Sequence, residues 1–135
     1  MATGQLKFDE GHAWVRLDDD NAVVGMSDFA QDNMGEIIFI EPPEAGAMVI
    51  RGDVCGSLES VKSVEDLLAP VSGEVIAINE DALDAPETVN DDPYGEGWLF
   101  SVKLDDPAEL DKLMSAAEYE VHLDTLGDDD EDDAF

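Results

Sequence analysis

Apolar residues in this 135-residue chain arrive in short bursts, each cut off by turn-forming residues before it could grow into a long helix. The longest purely aliphatic and aromatic run, Ile37-Ile38-Phe39-Ile40, stops at Pro42-Pro43, far short of the ~20 residues that a membrane-spanning helix needs. Residues 13–17 and 22–26 flank the polar turn Asp18-Asp19-Asp20-Asn21 and read as a hairpin. Asp28 and Gln31 have capping-box spacing, and Gly35 follows, so a short helix is expected between them. Residues 36–41 read as a strand buried on both sides, and 47–51 lie between the turn glycines Gly46 and Gly52. Two strands, 54–60 and 66–69, are joined by 61–65; further strands fall at 74–78 and 98–104, with 81–95 read as a surface loop or long crossover. Asp106-Pro107-Ala108-Glu109 is a helix start with Leu110, Leu113 and Met114 as its apolar face, and Ser115 to Glu118 repeats the capping-box pattern ahead of Tyr119, Val121 and Leu123. Many short strands at close spacing imply a mainly β sandwich or barrel with helices at its edges.

Charge narrows the function. There are 35 Asp and Glu against 6 Lys and Arg, a formal net charge of −29. Such a surface repels phosphate backbones and anionic lipid, so neither nucleic acid nor membrane is an expected partner. With 44% apolar residues the chain is still able to bury a core, and the charge reads as adaptation to concentrated salt. One domain is expected over 1–126, with 127–135 a disordered acidic tail, because a block of like charges repels itself. The first seven residues have neither an apolar signal core nor an Arg-rich presequence, which leads to the expectation of a cytoplasmic protein.

Few residues offer chemistry. Cys55 is single and mid-strand, which suits an inert core thiol and excludes an internal disulfide. His12 and His122 have no second His or Cys at ligand spacing, so a zinc site is not expected. No serine lies in a nucleophile-elbow signature, and paired carboxylates carry no information in so acidic a chain. Lys62 stands out: one lysine is kept where two strands turn back on each other, between Glu59-Ser60-Val61 and Ser63-Val64-Glu65. A solvated amine at a hairpin tip suits an attachment point for a carried group, whereas a catalytic base would need burial to lower its pKa.

The flanks of Lys62 sharpen this. Leu58-Glu59-Ser60-Val61-Lys62-Ser63, followed by Ala69-Pro70-Val71-Ser72-Gly73-Glu74-Val75, resembles the lipoyl hairpin of the glycine cleavage system H protein family. Gly25-Met26-Ser27-Asp28-Phe29-Ala30-Gln31-Asp32, Met34-Gly35-Glu36, Pro93-Tyr94-Gly95-Glu96-Gly97-Trp98-Leu99 and His12-Ala13-Trp14-Val15 are similar to further blocks of that family, in the same order. The resemblance implies a lipoyl-type barrel-sandwich hybrid with short peripheral helices. It also implies a non-catalytic carrier with lipoate attached to Lys62, which takes the aminomethyl group of glycine from the pyridoxal-phosphate glycine decarboxylase (P protein). The aminomethyltransferase (T protein) would receive it, and dihydrolipoyl dehydrogenase (L protein) would reoxidise the arm. A lipoate-attaching enzyme is implied as a further partner, and a monomer is expected.

At two positions the chain departs from the family pattern: Gly11 and Ala13 stand where a serine and an acid are usual beside the histidine. Glu10 or Asp66 could supply the missing carboxylate at the arm's resting site, with His12 lining it. Tyr94 and Trp98 read as core aromatics. A biotinyl carrier is disfavoured because Val61 and Ser63 flank the lysine where methionines are typical. A lipoyl domain of a 2-oxoacid dehydrogenase would lack the blocks around Asp28 and Tyr94. A lipoyl relay and an unmodified scaffold remain the alternatives. From the charge alone, raising ionic strength from about 0.01 M to about 1 M, which shortens the Debye length from ~30 to ~3 Å, is expected to raise the melting temperature followed by circular dichroism. A midpoint indifferent to salt would contradict the reading of the charge as salt adaptation.

Overall fold

The computed structural model describes residues 6–18 and 21–133, with side chains as far as Asp124. Its strands are β1 (Lys7–Phe8), β2 (Ala13–Asp18), β3 (Asn21–Met26), β4 (Ile37–Glu41), β5 (Met48–Val49), β6 (Val54–Ser60), β7 (Val64–Leu68), β8 (Gly73–Ile78), β9 (Phe100–Leu104) and β10 (Met114–Ser115). Among the described residues they form a seven-stranded sheet, in the order β10-β1-β2-β3-β9-β8-β5, and a three-stranded sheet, β4-β6-β7. Every pairing is antiparallel. The two sheets are not closed into a barrel, and they enclose a core that includes Val15, Val24, Ile37, Ile40, Leu58, Leu67, Val75, Phe100 and Val102. This is the mainly β, barrel-sandwich arrangement expected.

The first half of strand β2 is buried on both faces. Ala13 and Val15 point into the main core, and Trp14 points the other way into a second cluster with Leu6, Phe8, Val23 and Tyr119. Trp14 is fully buried, and its indole N–H donates to the Pro93 carbonyl at 2.8 Å. Directly across the ladder from Trp14 stands Gly25. A Cβ built on Gly25 would come within 2.5 Å of two indole carbons, so the missing side chain is the space the ring occupies.

Helix α1 (Asp28–Met34) begins one residue earlier than the capping-box spacing suggested. Ser27, not Asp28, is the cap, its Oγ accepting from the Ala30 N–H at 3.1 Å. Strand β4 departs from expectation more sharply: Ile38 and Phe39 are 47% and 54% exposed. The register slips between Ile37 and Phe39, and the resulting bulge turns two consecutive side chains outward. The stretch 81–95 is not a plain loop, since it contains α2 (Glu80–Asp84) and α3 (Glu87–Asp91). Both helices run only five residues, too short to show a helical period in the sequence.

Asp106 caps a 3-10 helix, Pro107–Lys112, through the Ala108 N–H. Glu109, which spacing would turn back on that cap, instead accepts from the Ser72 N–H at 2.7 Å and hydroxyl at 2.9 Å. Met114, expected on a helix face, lies in β10 and pairs with Phe8. The Ser115–Glu118 box is reciprocal: Ser115 N–H donates to Glu118 Oε1 at 2.9 Å, and Glu118 N–H to Ser115 Oγ at 3.1 Å. It opens α4 (Ala116–Asp133), which continues through residues where the sequence suggests a disordered tail. The last two residues of that tail, and Asp19 and Asp20 of the first turn, lie outside the described residues.

Gly25→Ala is expected to destabilise the fold by about 1–3 kcal/mol, the usual range for overpacking a rigid core site. Equilibrium urea unfolding would show a lower midpoint at unchanged slope. An unchanged midpoint would mean that the Trp14 ring has room to give.

Candidate functional site

Strands β6 and β7 form a hairpin in register from Glu59 opposite Val64, with Ser60 to Ser63 making the turn. The backbone closes with the Ser60 N–H on the Ser63 carbonyl at 2.8 Å. Ser60 is buried, and its Oγ accepts from the N–H groups of both Lys62 and Ser63 at 3.1 Å each. One hydroxyl thus satisfies two donors that a tight turn would otherwise leave open. Lys62 itself is exposed at the tip, as the sequence suggested.

The turn is tied down from behind. Val61 N–H donates to the Glu36 carbonyl at 3.1 Å, joining the tip to the link between α1 and β4. Gly35 ends α1 at φ +79°, a conformation that favours glycine. A Cβ there would sit 3.1 Å from Lys62 Cε, so the lysine stem lies over this bare backbone. Asn90 of α3 holds the same link: its Nδ2 donates to the Gly35 carbonyl and to Gln31 Oε1, and its Oδ1 accepts from the Ile37 N–H, each at 2.9 Å.

Beside the tip is a cleft of about 180 Å³, lined by Gly11, His12, Met26, Phe29, Asn33, Ser63, Glu65 and Asp66 among others. His12 and Asp66 therefore come together, while Glu10 lines a separate cleft of about 290 Å³ with Arg51 and Lys112. His12 is held at φ +71°, a strained setting for a non-glycine residue. Its N–H donates to the Asp9 carbonyl at 3.0 Å, and its carbonyl accepts from the Ser27 N–H at 2.8 Å. The imidazole Nδ1 lies 2.7 Å from Tyr119 Oη, which lies 2.7 Å from Ser27 Oγ. Phe29 packs at 4.8 Å between ring centroids. Burial lowers the His12 pKa, and His122 adds to that effect; burial also pushes the Tyr119 hydroxyl up to about 12. Cys55, at the start of β6, is half-buried with its thiol pushed up to about 11 by burial, as an inert thiol would be. No group of three or more metal-ligating side chains exists among the described residues.

A family model described as glycine cleavage H-protein matches residues 6–126. The chain belongs to that family. It is 54% identical over 119 residues to the glycine cleavage system H protein of Marinobacter nauticus, covering 87% of this chain and 92% of that one. To the same-named protein of Idiomarina loihiensis it is 51% identical over 120 residues, covering 88% and 93%. Its fold is similar to the crystal structure of a glycine cleavage system H protein from Mycobacterium marinum, with TM-score 0.82, 36% identity, and 88% and 96% of the two chains covered.

Within this H-protein fold the two departures noted in the sequence differ in effect. Gly11 lines the cleft, whereas Ala13 is buried in the main core and contributes nothing polar there. The carboxylates that line the cleft are Glu65 and Asp66. Glu65 was not singled out in the sequence, because an acid before another acid is unremarkable in a chain with 35 of them. Tyr94 and Trp98 are half-buried against the second cluster, and Tyr94 Oη accepts from the Asp28 N–H at 2.9 Å. Asn90 and Tyr119 were missed as site residues; each reaches the site from a distant stretch of chain, and no local motif marks either. Ser60→Ala is expected to cost about 0.5–1.5 kcal/mol, the net worth of an ordinary hydrogen bond whose donors water can reach, and to raise amide exchange at Lys62 and Ser63 selectively. Exchange that is unchanged at these two amides would show that Ser60 does not organise the turn.

Proposed function

We propose that this protein is the lipoyl carrier of a glycine cleavage system, holding lipoate in amide linkage on Lys62. It would take the aminomethyl group of glycine from the P protein to the T protein, with the L protein as reoxidant and a lipoate-attaching enzyme as a further partner. On this reading it is a cytoplasmic carrier without catalysis of its own. The observation that carries the proposal is an exposed lysine on a stiffly built turn, in a chain of the H-protein family.

The residues present fit such a group. Lys62 Nζ projects from a turn whose backbone is held by Ser60, Glu36 and, through Gly35, Asn90. A rigid base and a free end give an arm reach without loosening the scaffold. The attached group would supply the dithiolane chemistry, and the amide would remove the lysine's charge. The neighbouring cleft has an apolar floor, with Met26, Phe29 and Met34, and a polar rim with His12, Glu65 and Asp66. The floor would shelter an apolar arm from water, and the carboxylates would hold a protonated amine by charge-assisted hydrogen bonds.

Intact mass of protein purified from its native source, with peptide mapping of Lys62, tests the reading. A lipoyl increment on Lys62 is expected. Lys62→Arg is expected to keep the melting temperature while losing both the increment and the capacity to support glycine cleavage with active partners. A biotin increment, or an unmodified lysine in cells that lipoylate other proteins, would overturn the assignment.

A further inference from the structure

Four groups stand in line: His12 Nδ1, Tyr119 Oη, Ser27 Oγ and the Ala30 N–H, separated by 2.7, 2.7 and 3.1 Å. The Ala30 amide can only donate, so Ser27 Oγ accepts from it. Ser27 is fully buried, and among the described residues its own proton has a single partner, Tyr119 Oη. Either alternative, His12 to Tyr119 to Ser27 or both neighbours donating to Tyr119 Oη, would bury one hydroxyl proton, of Ser27 or of Tyr119, with no acceptor among the described residues, a substantial penalty. The protons therefore run from Ser27 to Tyr119 and from Tyr119 to His12 Nδ1.

We propose that Tyr119 is a positioning residue that makes His12 a pure hydrogen-bond donor toward the cleft beside Lys62. With Nδ1 accepting, the neutral imidazole carries its proton on Nε2. The main-chain clamp at φ +71° and the Phe29 contact hold the ring in place on the cleft wall. A donor-only histidine selects its occupant. It suits an acceptor, such as the carbonyl of an acyl-lysine arm, and offers nothing to a protonated amine, which has donors alone. An amine cargo must then turn to Glu65 or Asp66, the carboxylates on the same cleft. This use of the donor rests on the carrier reading, but the direction of the relay does not. It also gives α4 a part in the site, because Tyr119 arrives on that helix, 107 residues along the chain from His12.

Long-range proton–nitrogen NMR of the full chain labelled with 15N-histidine tests the relay at neutral pH, with His122→Gln used to assign the two rings. His12 is expected to show one neutral tautomer, protonated on Nε2, with Nδ1 shifted by an incoming hydrogen bond. Tyr119→Phe retains the ring that stacks on Phe8 at 4.3 Å, and should return Nδ1 to its unbonded shift with the minor tautomer appearing. Ser27→Ala removes the helix cap but leaves the Tyr119 proton free for His12, so the tautomer should persist in a less stable protein. A proton on Nδ1 in the native chain, or an Nδ1 signal indifferent to Tyr119→Phe, would overturn the proposal. The native spectrum decides the direction even if the tyrosine variant fails to fold. The unmodified protein suffices for these spectra, so an unlipoylated Lys62 would sink the carrier reading while the expected tautomer still upheld the relay.

Discussion

The notch that Gly25 leaves in β3 is the constraint on which the rest of the molecule depends. Trp14 fills it, and the first half of β2, which could have faced water on one side, is buried on both. The indole then anchors Pro93, while Tyr94, the next residue, reaches the first amide of α1. Phe8 and Tyr119 stack beside it with their rings nearly parallel. The second cluster thereby holds α4 at the height needed for Tyr119 to meet His12. A packing decision between two facing residues of one ladder is felt at the cleft beside Lys62.

Sequence reasoning reached the parts of this chain whose causes are local. The hairpins, the cap at Asp106, the Ser115–Glu118 box and the exposed lysine all follow from neighbours within a few residues, and each is present. What it misread depends on partners far along the chain. Ile37 to Ile40 looks buried throughout, yet a register slip against β6 exposes its middle two residues. Glu109 has the spacing of a capping box, but Ser72 offers it better donors. Asn90 sits in a polar stretch that suggests a loop, and only the tertiary fold brings it under Gly35. In the site, Lys62 could be read from position and flanks. Of the expected cleft residues His12 and Asp66 share one cleft, and Glu10 lies in another, because residues 10 and 12 sit on the tight turn ahead of β2, which the chain leaves through His12 at φ +71°.

Stiffness and freedom are divided within a very short stretch at the tip. The backbone of residues 60–63 is held by a buried hydroxyl and by the α1–β4 link, whereas the lysine side chain lies over bare glycine backbone. Glycine at position 35 serves two ends at once: it lets α1 stop abruptly, and it clears a path for a long side chain. The apolar residues around the tip, Val61 and Val64 on the hairpin with Ile38 and Phe39 on β4, are exposed among acids.

Cys55 stands at the other end of the strand that leads to the tip. A lone thiol in a protein that carries a strained disulfide on a long tether would be a hazard, since a thiolate attacks such a bond and leaves a mixed disulfide. Two features already described insulate the pair. Five steps along β6, from Cys55 to Ser60, at roughly 3.3 Å each put the thiol about 16 Å from the turn. Burial raises its pKa to about 11, which leaves roughly one molecule in ten thousand as thiolate at neutral pH. The scaffold can thus keep a cysteine for packing without that cysteine capturing the arm proposed for Lys62.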